Sequence, residues 1–572
     1  MPWQLLSNHA EVLAVHAAYM GFGQILYFGG DQHDPVWSEQ HAFKSTRRFD
    51  CWSNGVTEPP SPHFDAFCSG HAFLGASNVV KLLVAGGTEQ FDQHAPGVHH
   101  PHFPGLKDAS VFSSPDFISP SAGGWDWTPA APMNPGILAA ASQVPKPNPK
   151  LTGGRWYPTL TTLPTGEVIA FSGHPGSSDG SNSLGADHNN CIPEIFSRDP
   201  QPKGKWRRLA SYSNDADRMY YEGHATTYYP RMHLLPTGDI LCTNPVAERT
   251  ISFTPGVGPH GGTFYNICGF PPSAIPAFAG YGGTSVLLPL RHDEGFRARA
   301  MICGSFADSP YILDLGGWHP SLSGTGSWGW HATGGRRMTE HRVHANSVIL
   351  PTGEVFVCGG IDAGLGDPTP DNRAVMMPEI YNPYTNSWTV TGEPASSPRN
   401  YHSVALLMPD GRVWTAGSDR NGGRGAGPPP SNNPPGNPDV RNLDIEIYEP
   451  WYVGDPGRPY ITAAPSLAYP STTILVKSTY AREIERVVLV RCGTSTHSFN
   501  PDQRMIELQF TNPVDDDLLV IMPPNNNIVP PGPYFIFTIR RKFGTLGLPS
   551  SGTDIYIVPE KPDGQDRPHP QG

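Results

Sequence analysis

The sequence predicts an all-β protein in which a seven-bladed β-propeller is followed by a smaller immunoglobulin-like β-sandwich. Three observations favour this fold. An apolar strand that ends in a glycine pair or a close substitute recurs seven times. Glycine and proline are abundant, with 63 and 64 copies among 572 residues, as many tight turns require. Stretches rich in the helix formers Ala, Glu, Lys and Leu are scarce.

The seven copies of the repeat divide residues 1–455 into blades. They read GFGQILYFGG (21–30), NVVKLLVAGG (78–87), PTGEVIAFSG (164–173), PTGDILCTNP (236–245), RARAMICGS (297–305), PTGEVFVCGG (351–360) and PDGRVWTAGS (409–418). A Pro-Thr-Gly or Pro-Asp-Gly turn precedes the clearest copies, which is typical of a hairpin. An outer strand recurs as PEIFSRDP (193–200), PEIYNPYTNSW (378–388) and IEIYEPW (445–451). This pairing resembles the blades of kelch propellers.

The connections between the copies are uneven, and two are long and rich in Pro and Gly: 88–150 and 418–440. Long loops on a rigid scaffold are typically lids or rims of a functional site. Four histidines lie in the first of them: His94, His99, His100 and His102. Their spacing follows no strict ligand geometry and prolines interrupt it, so a solvated or lid loop is favoured over a second metal site.

After residue 455 the pattern changes to short strands at regular spacing, such as IERVVLVRCG, MIELQF and GPYFIFTI. Their number and alternation predict an immunoglobulin-like sandwich over 456–560. The last residues, 561–572, are polar and rich in Pro and Gly, which indicates a solvated tail.

The formal net charge is −12 and no long run of Lys or Arg occurs, so nucleic-acid binding has little electrostatic support. No stretch reaches the roughly 18 apolar residues needed to span a membrane. The first residues lack a basic segment, and His9 and His16 interrupt their apolar stretch, so this chain predicts no signal peptide; its compartment stays open. The eight cysteines are dispersed without a CxxC, unlike a structural zinc site or a disulfide scaffold.

Superposing the repeats predicts where functional side chains meet. Seven residues before the proline of each turn stand Tyr157, Tyr229, His344 and His402; the same step from Gly75 in blade 2 gives Cys68, and blades 1 and 5 give Ala14 and Gly282. Equivalent positions of successive blades lie at one height around the central axis. Cys68, Tyr157 and His402 are therefore expected to meet at one end of the channel, beside Tyr401. For Tyr229 and His344, simple packing of the channel is the favoured interpretation.

Four segments carry a resemblance to a known family. FCSGHAFL (67–74), GRWYPTLTTLPTGEV (154–168), RNYHSVALLMPDGRV (399–413) and THSFNPDQRMIEL (496–508) resemble, in the family's order, motifs of the copper radical oxidases, the galactose oxidase and glyoxal oxidase family. The resemblance extends over nearly the whole chain. The Arg-Trp-Tyr-Pro form and the long insertion between Cys68 and Tyr157 are more similar to the glyoxal oxidase branch.

The resemblance implies a mononuclear copper oxidase. The implied Cu(II) ligands are Tyr157, Tyr401, His402 and His497, and a thioether between Cys68 and Tyr157 would form a protein-derived radical cofactor. Substrate oxidation releases two electrons and Cu(II) accepts only one, so a radical on Tyr157 would accept the other. Tyr401 would act as general base, and dioxygen would leave as hydrogen peroxide. The implied substrates are small aldehydes, α-hydroxycarbonyls or primary alcohols.

One departure and three open points accompany this resemblance. Galactose oxidases cover the thioether with a Trp, whereas the corresponding stretch FSGHPGSSDG (171–180) has His174 and Pro175 there. Trp156 precedes Tyr157, but strand neighbours face opposite sides, so we expect it to be a poor replacement. Taken alone, His497 fits a surface loop of the sandwich. The alternatives are a non-catalytic kelch propeller that binds a ligand or carbohydrate, and a copper oxidase without a working cross-link.

Overall fold

The computed structural model describes residues 2–29, 45–75, 79–88, 105–117, 124–134, 154–174, 190, 193–197, 203–209, 228–246, 248–256, 261–275, 282–304, 310–334, 338–362, 374–418, 442–512 and 514–559. Their regular structure is almost entirely β. The exceptions are four short 3-10 helices, at Pro272–Ala274, His292–Glu294, Pro320–Leu322 and Ala481–Glu483. No helix in these ranges has the length and apolar character needed to cross a membrane. The predicted all-β class is confirmed.

The first three blades follow the N-terminal strand β1 (Trp3–His9). Blade 1 contains β2 (His16–Tyr19), β3 (Gln24–Phe28), β4 (Thr46–Asp50) and β5 (Val56–Thr57); blade 2 contains β6 (Gly70–Phe73), β7 (Val79–Ala85), β8 (Ala109–Asp116) and β9 (Asp126–Pro129); blade 3 contains β10 (Thr159–Thr162), β11 (Val168–Phe171), β12 (Glu194–Ser197) and β13 (Lys205–Arg208). Each blade is an antiparallel sheet in which the chain runs from the inner to the outer strand.

The other four blades repeat this order. Blade 4 contains β14 (Met232–Leu234), β15 (Ile240–Val246), β16 (Arg249–Pro255) and β17 (Gly262–Gly269); blade 5 contains β18 (Thr284–Leu287), β20 (Arg299–Cys303), β21 (Tyr311–Asp314) and β22 (Trp330–Ala332), with β19 (Leu290–Arg291) inserted; blade 6 contains β23 (Asn346–Ile349), β24 (Val355–Cys358), β25 (Glu379–Asn382) and β26 (Ser387–Val390); blade 7 contains β27 (Ser403–Leu407), β28 (Val413–Gly417) and β29 (Asp444–Tyr448). The predicted seven-bladed propeller is confirmed.

The N-terminal strand closes the ring. β1 pairs antiparallel with β29, with Trp3 opposite Tyr448, and so becomes the outer strand of blade 7. The rings of these two residues pack with centroids 5.1 Å apart. Because the last blade takes its fourth strand from the start of the chain, the circle has no open seam, which protects the sheet edges.

The turn at the start of each clear repeat has the backbone that its glycine predicts. Gly166 lies at φ +82°, and a Cβ there would come within 2.0 Å of the Gly75 carbonyl oxygen, so no side chain fits. The equivalent glycines also have positive φ: Gly238, Gly353 and Gly411. The Pro-Thr-Gly and Pro-Asp-Gly turns therefore set the register of the innermost hairpin in blades 3, 4, 6 and 7.

The C-terminal part is the predicted immunoglobulin-like sandwich. Its strands are β30 (Ile461–Ala463), β31 (Leu467–Ala468), β32 (Thr473–Ser478), β33 (Ile484–Arg491), β35 (Arg504–Thr511), β36 (Asp517–Ile521), β37 (Gly532–Arg540), β38 (Leu548–Pro549) and β39 (Thr553–Ile557). Between β33 and β35, the strand β34 (Thr494–Thr496) joins the sheet of blade 1 beside β2. One half of β35 pairs with β33 and the other with β36, which joins the two layers. β19 of blade 5 pairs in parallel with β35, so sandwich and propeller share a sheet.

Several predictions fall on the boundary or outside the described residues. The predicted domain boundary at 455/456 lies between the last propeller strand and the first sandwich strand and stays a prediction. The four clustered histidines of the first long loop, residues 419–440 and the tail 561–572 lie outside the described residues. No disulfide links the seven described cysteines to one another.

Candidate metal centre

Side chains from distant parts of the chain converge at one end of the propeller channel. Cys68, His402 and His497 are buried, and their ligand atoms lie within 4.8 Å of one another. The Tyr157 and Tyr401 hydroxyls are hydrogen-bonded to each other, and the Tyr157 and His497 rings lie 4.8 Å apart between centroids. The five residues assigned from the sequence therefore form one buried cluster.

The repeat-equivalent positions share an uncommon backbone conformation. Five of them, none a glycine, have left-handed φ values: Cys68 (60°), Tyr157 (65°), Tyr229 (44°), His344 (65°) and His402 (60°). Such a conformation costs about 1–3 kcal/mol at a non-glycine residue and persists only where the surroundings enforce it. Its recurrence in blades 2, 3, 4, 6 and 7 shows that these side chains enter the channel on the same local turn.

Backbone hydrogen bonds link these turns from blade to blade. The Tyr157 N–H donates to the Cys68 carbonyl at 2.9 Å, and the Tyr229 N–H donates to the Tyr157 carbonyl at 2.9 Å. In the same way His344 donates to the Gly282 carbonyl of blade 5 at 2.6 Å. Equivalent residues of neighbouring blades are thus in direct contact, which is why counting back from the turn proline finds them.

The residue before the left-handed turn also reaches the cluster. The Tyr401 ring stacks on that of His402, with centroids 3.8 Å apart and planes 28° apart, and Trp156 stacks on Tyr157 at 3.8 Å and 13°. The expectation that Trp156 faces away from Tyr157 is wrong. Alternation holds for extended residues, but Tyr157 is left-handed and β10 begins only at Thr159.

His497 reaches the channel at the tip of a hairpin from the sandwich. β34 pairs with the inner strand β2, with Thr496 opposite His16. Thr496 and Phe499 exchange backbone hydrogen bonds of 3.0 and 2.9 Å around His497 and Ser498. Both central residues have positive φ, 45° and 66°, as a tight two-residue turn requires. His497 therefore enters the channel, unlike a surface loop residue.

Buried polar contacts hold this hairpin in the propeller. Asp502 pairs with Arg491 at 3.0 Å, accepts the Thr162 hydroxyl of blade 3 at 3.0 Å and accepts the Phe73 N–H of blade 2 at 3.2 Å. The Arg231 guanidinium donates to the His497 carbonyl at 2.8 Å. Because these contacts involve several blades, the hairpin tip has one position relative to Tyr157 and His402.

The neighbouring hydroxyl sets the tautomer of His497. Thr496 Oγ1 lies 2.9 Å from the Val15 carbonyl and 2.6 Å from His497 Nδ1. Both contacts are satisfied when the hydroxyl donates to the Val15 carbonyl, which only accepts, and its oxygen accepts the Nδ1–H of His497; we assign this tautomer. The lone pair is then on Nε2, which lies 3.8 Å from Cys68 Sγ. Burial, with nearby His402, lowers the pKa of His497 well below its usual value, so the imidazole is neutral.

Tyr229 and His344 pack around the cluster. The Tyr229 hydroxyl donates to the Ser69 carbonyl at 2.8 Å, and its ring stacks on His497 with centroids 4.4 Å apart. The His344 ring lies 5.0 Å from that of Tyr401. These contacts fit the packing interpretation made from the sequence.

Sequence reasoning missed other residues around the cluster: Arg231, Thr496, His16, His71 and Tyr228. The half-buried Tyr228 ring lies edge-on to both Tyr157 and Trp156, with centroids 5.6 and 5.3 Å away. His16 and His71 are buried, and the His16 ring lies 6.0 Å from that of His497 and 5.2 Å from that of His71 between centroids. Only His16 and His71 could have been found from the sequence, because a polar side chain on the innermost strand of a blade is predicted to face the channel.

The donor set fits a copper ion. Two imidazoles, two phenol oxygens and a thiol converge, and the Nε2 of His497 faces the Cys68 thiol at 3.8 Å. Nitrogen and sulfur donors with phenol oxygens suit copper, whereas Mg²⁺ and Ca²⁺ prefer carboxylates and carbonyls. Among the described residues, Cys68, His402 and His497 form a group of His, Cys, Asp or Glu side chains whose ligand atoms are close enough together to hold one metal ion.

The sequence of the chain matches two family descriptions. Residues 142–424 match "Glyoxal oxidase N-terminus", and residues 458–557 match "Galactose oxidase-like, Early set domain". The chain belongs to the galactose oxidase and glyoxal oxidase family. The two matched regions cover blades 3 to 6, the first two strands of blade 7 and the sandwich.

Individual relatives agree with this family. A galactose oxidase of Gibberella zeae is 31% identical over 222 residues, 38% of this chain but 29% of that protein. The aldehyde oxidase GLOX of Vitis pseudoreticulata is 26% identical over 440 residues, 72% of this chain and 73% of that protein. A solved fungal alcohol oxidase in complex with copper has the same fold, with a TM-score of 0.68 at 19% identity over 98% of this chain and all of that one.

Proposed function

We propose that this family member is a copper-dependent oxidase of small aldehydes, α-hydroxycarbonyls or primary alcohols that reduces dioxygen to hydrogen peroxide, most like the glyoxal oxidase branch. The observation that carries the proposal is the convergence of Tyr157, Tyr401, His402 and His497 around one buried point with the Cys68 thiol beside them. A propeller that only binds a ligand has no chemical use for this set.

The ligand roles follow from the chemistry of each side chain. His402 and His497 would give the ion two neutral nitrogens, and Tyr157 and Tyr401 two oxygens. Bound copper would supply a centre that accepts one electron, and the ring of Tyr157, joined to Cys68 through a thioether, would accept the other. Thr496 would keep the Nε2 of His497 available, since it holds the proton on Nδ1.

The two tyrosines divide the work on the substrate. Tyr401 would take the proton of the substrate hydroxyl, and Tyr157 the hydrogen atom of the adjacent carbon. With the second electron accepted at the centre that bound copper would supply, the substrate loses two protons and two electrons in all, and dioxygen gains both as hydrogen peroxide. Aldehydes would react as their hydrates, which carry the required hydroxyl. The hydrogen bond between the Tyr157 and Tyr401 hydroxyls supports this division, because both groups meet at one point.

The comparisons support the same reaction class. Relatives that cover most of this chain are named aldehyde oxidases, and the protein with the same fold is described as an alcohol oxidase in complex with copper. The shorter match is to galactose oxidases, of which the chain covers less than a third. These names favour an oxidase of small carbonyl or alcohol compounds and leave the substrate itself to experiment.

The test is to express the chain without copper, add Cu(II) in air and map the Cys68 and Tyr157 peptides by mass spectrometry. We expect a linked pair lighter by two hydrogens, and peroxide release with aldehydes or primary alcohols. Cys68→Ser should abolish the link, whereas Tyr229→Phe, which loses a hydroxyl bound to Ser69, should retain it. Unmodified peptides in a copper-loaded chain would contradict the proposal and favour a metal-binding or ligand-binding propeller.

A further inference from the structure

A buried arginine–glutamate pair stands behind the site-bearing turn of blade 3 and recurs in blade 6. Arg155 NH2 lies 3.5 Å from Glu194, and Arg342 NH2 lies 2.6 Å from Glu379; the four side chains are at most 1% exposed. Each glutamate belongs to the outer-strand motif PEIF or PEIY that the sequence repeats. Each arginine stands two residues before a left-handed residue, Tyr157 or His344.

The two pairs make the same contacts. The Arg155 guanidinium donates to the carbonyls of Ser172 and Asn190 at 2.6 and 3.2 Å, which lie at the end of β11 and just before β12. Arg342 donates in blade 6 to the carbonyl of Gly359, which follows β24 as Ser172 follows β11, and to that of Met377 before β25, at 3.3 and 2.9 Å. Each arginine therefore ties the second and third strands of its blade together behind the turn.

The glutamates complete the arrangement with backbone donors. Glu194 accepts the Asn134 N–H at 3.1 Å, and Glu379 accepts the Thr339 N–H at 2.7 Å. Removing one member of such a pair leaves the other charge buried without its partner, which typically costs about 3–5 kcal/mol. Loss of either glutamate is therefore expected to destabilise the chain, because it leaves a buried arginine without its charged partner.

The pairs differ in what they hold. The first pair supports the turn that carries Tyr157, whose ring must meet Cys68 for the thioether and Tyr401 for the reaction. The second pair supports the turn that carries His344, which packs against Tyr401 and has no assigned ligand role. We propose that Arg155–Glu194 is the positioning pair of the metal centre, fixing the left-handed turn that presents Tyr157, whereas Arg342–Glu379 is its purely structural counterpart. This inference rests on the proposed function.

The matched variants Glu194→Gln and Glu379→Gln separate the two roles. Each keeps an amide oxygen for its backbone donor and presents an amide nitrogen to the arginine. We expect similar decreases in the thermal unfolding midpoint of the copper-free chains. The rate of Cys68–Tyr157 link formation after Cu(II) addition should fall by about tenfold or more in Glu194→Gln alone, because small displacements of reacting groups have large effects on rate.

Equal link rates in two folded variants would overturn the positioning role. Where Glu194→Gln does not fold, the apolar pairs Arg155→Met with Glu194→Leu and Arg342→Met with Glu379→Leu replace it, since such replacements of a buried pair are often neutral for stability; the same difference in link rate is expected. A wild-type chain that forms no link contradicts the proposed function instead. The Cu(II) affinities then decide, with a loss confined to the blade 3 variant supporting the inference and equal affinities overturning it.

Discussion

Trp156 and Tyr157 are consecutive in the chain, yet their rings stack with centroids 3.8 Å and planes 13° apart. The same relationship joins Tyr401 and His402 in blade 7, at 3.8 Å and 28°. In both blades the second residue is left-handed, so the turn folds the preceding ring back onto it. The same left-handed turn therefore stacks the Trp156 indole on Tyr157 in blade 3, and in blade 7 it places the two predicted ligands Tyr401 and His402 side by side.

Trp156 is expected to protect an oxidised Tyr157. Trp156→Leu should shorten the lifetime of the oxidised chain by about two- to tenfold, the equivalent of the 0.5–1.5 kcal/mol that an aromatic pair contributes, whereas Trp156→Phe should retain most of it. The measurement is the decay of the visible absorption after the oxidant is removed. Trp206→Leu, in the outer strand of the same blade, is the control for a lost buried indole, and equal lifetimes of the Leu and Phe variants would contradict the role.

Thr496 is expected to control copper affinity through the tautomer of His497. Thr496→Val removes the acceptor of the Nδ1–H, so the proton is no longer held away from Nε2. Loss of such a partner typically lowers metal affinity by about 10–100-fold. The affinity for Cu(II) is measured by competition with a chelator. Thr496→Ser keeps the hydroxyl and should bind like the wild type; an unchanged affinity in Thr496→Val would refute the argument.

The periodicity of the sequence was sufficient for the propeller side of the cluster. Tyr157 and His402 could be placed because each stands seven residues before the proline of a turn whose glycine adopts positive φ, Gly166 or Gly411. Cys68 could be placed because it stands seven residues before Gly75, which takes the place of that proline in blade 2. In a closed ring of blades, residues at the same position of the repeat lie at the same height along the central axis and at the same distance from it. The repeat therefore contains three-dimensional information that is absent from a single blade.

The remaining features depend on geometry outside the repeat. Trp156 was assigned to the wrong side because a left-handed residue cannot be recognised when it is Tyr instead of Gly. His497 was placed only through the family resemblance, since its position depends on the pairing of β34 with β2, more than 470 residues away in the chain and without any periodic signal. The Arg155–Glu194 pair was also missed, although PEIF and PEIY were recognised as repeated strands.

His16 and His71 are expected to bind ordered water. Both are buried, and none of their four ring nitrogens has a hydrogen-bond partner among the described residues. Buried polar atoms without a protein partner are commonly satisfied by internal water. A high-resolution crystal structure should therefore show water within hydrogen-bonding distance of these nitrogens.

The hydration of these histidines is also tested by whether replacing His71 raises or lowers the free energy of unfolding. If the nitrogens are hydrated, His71→Leu should not stabilise the fold, whereas dry nitrogens would make that variant more stable by about 1–3 kcal/mol. The control is His233→Leu, because the buried His233 is bonded to Ser285 at 2.8 Å and its loss should destabilise in either case. A stabilised His71→Leu chain with no water in the crystal would disprove the prediction.

Asp554 is expected to make the stability of the chain depend on pH. This carboxylate of β39 accepts the Tyr19 hydroxyl and the Phe22 N–H of blade 1, at 3.0 and 2.7 Å. Burial raises the pKa of Asp554 to about 6, above the value of about 3.9 for an unfolded chain. The folded state therefore binds the proton more tightly, so the stabilisation is complete below pH 4 and is lost as the pH rises through 6.

The expected size of this effect is about 3 kcal/mol, from 1.36 kcal/mol for each unit of pKa difference. Asp554→Asn cannot ionise, so its free energy of unfolding should fall less than that of the wild type between pH 4 and pH 7. The measurement is denaturant unfolding of the copper-free chain across that range, with Asp516→Asn at an exposed position as the control. Parallel pH profiles of wild type and Asp554→Asn would mean that the carboxylate is stabilised in its charged form by Tyr19 and Phe22 as well as it is in water.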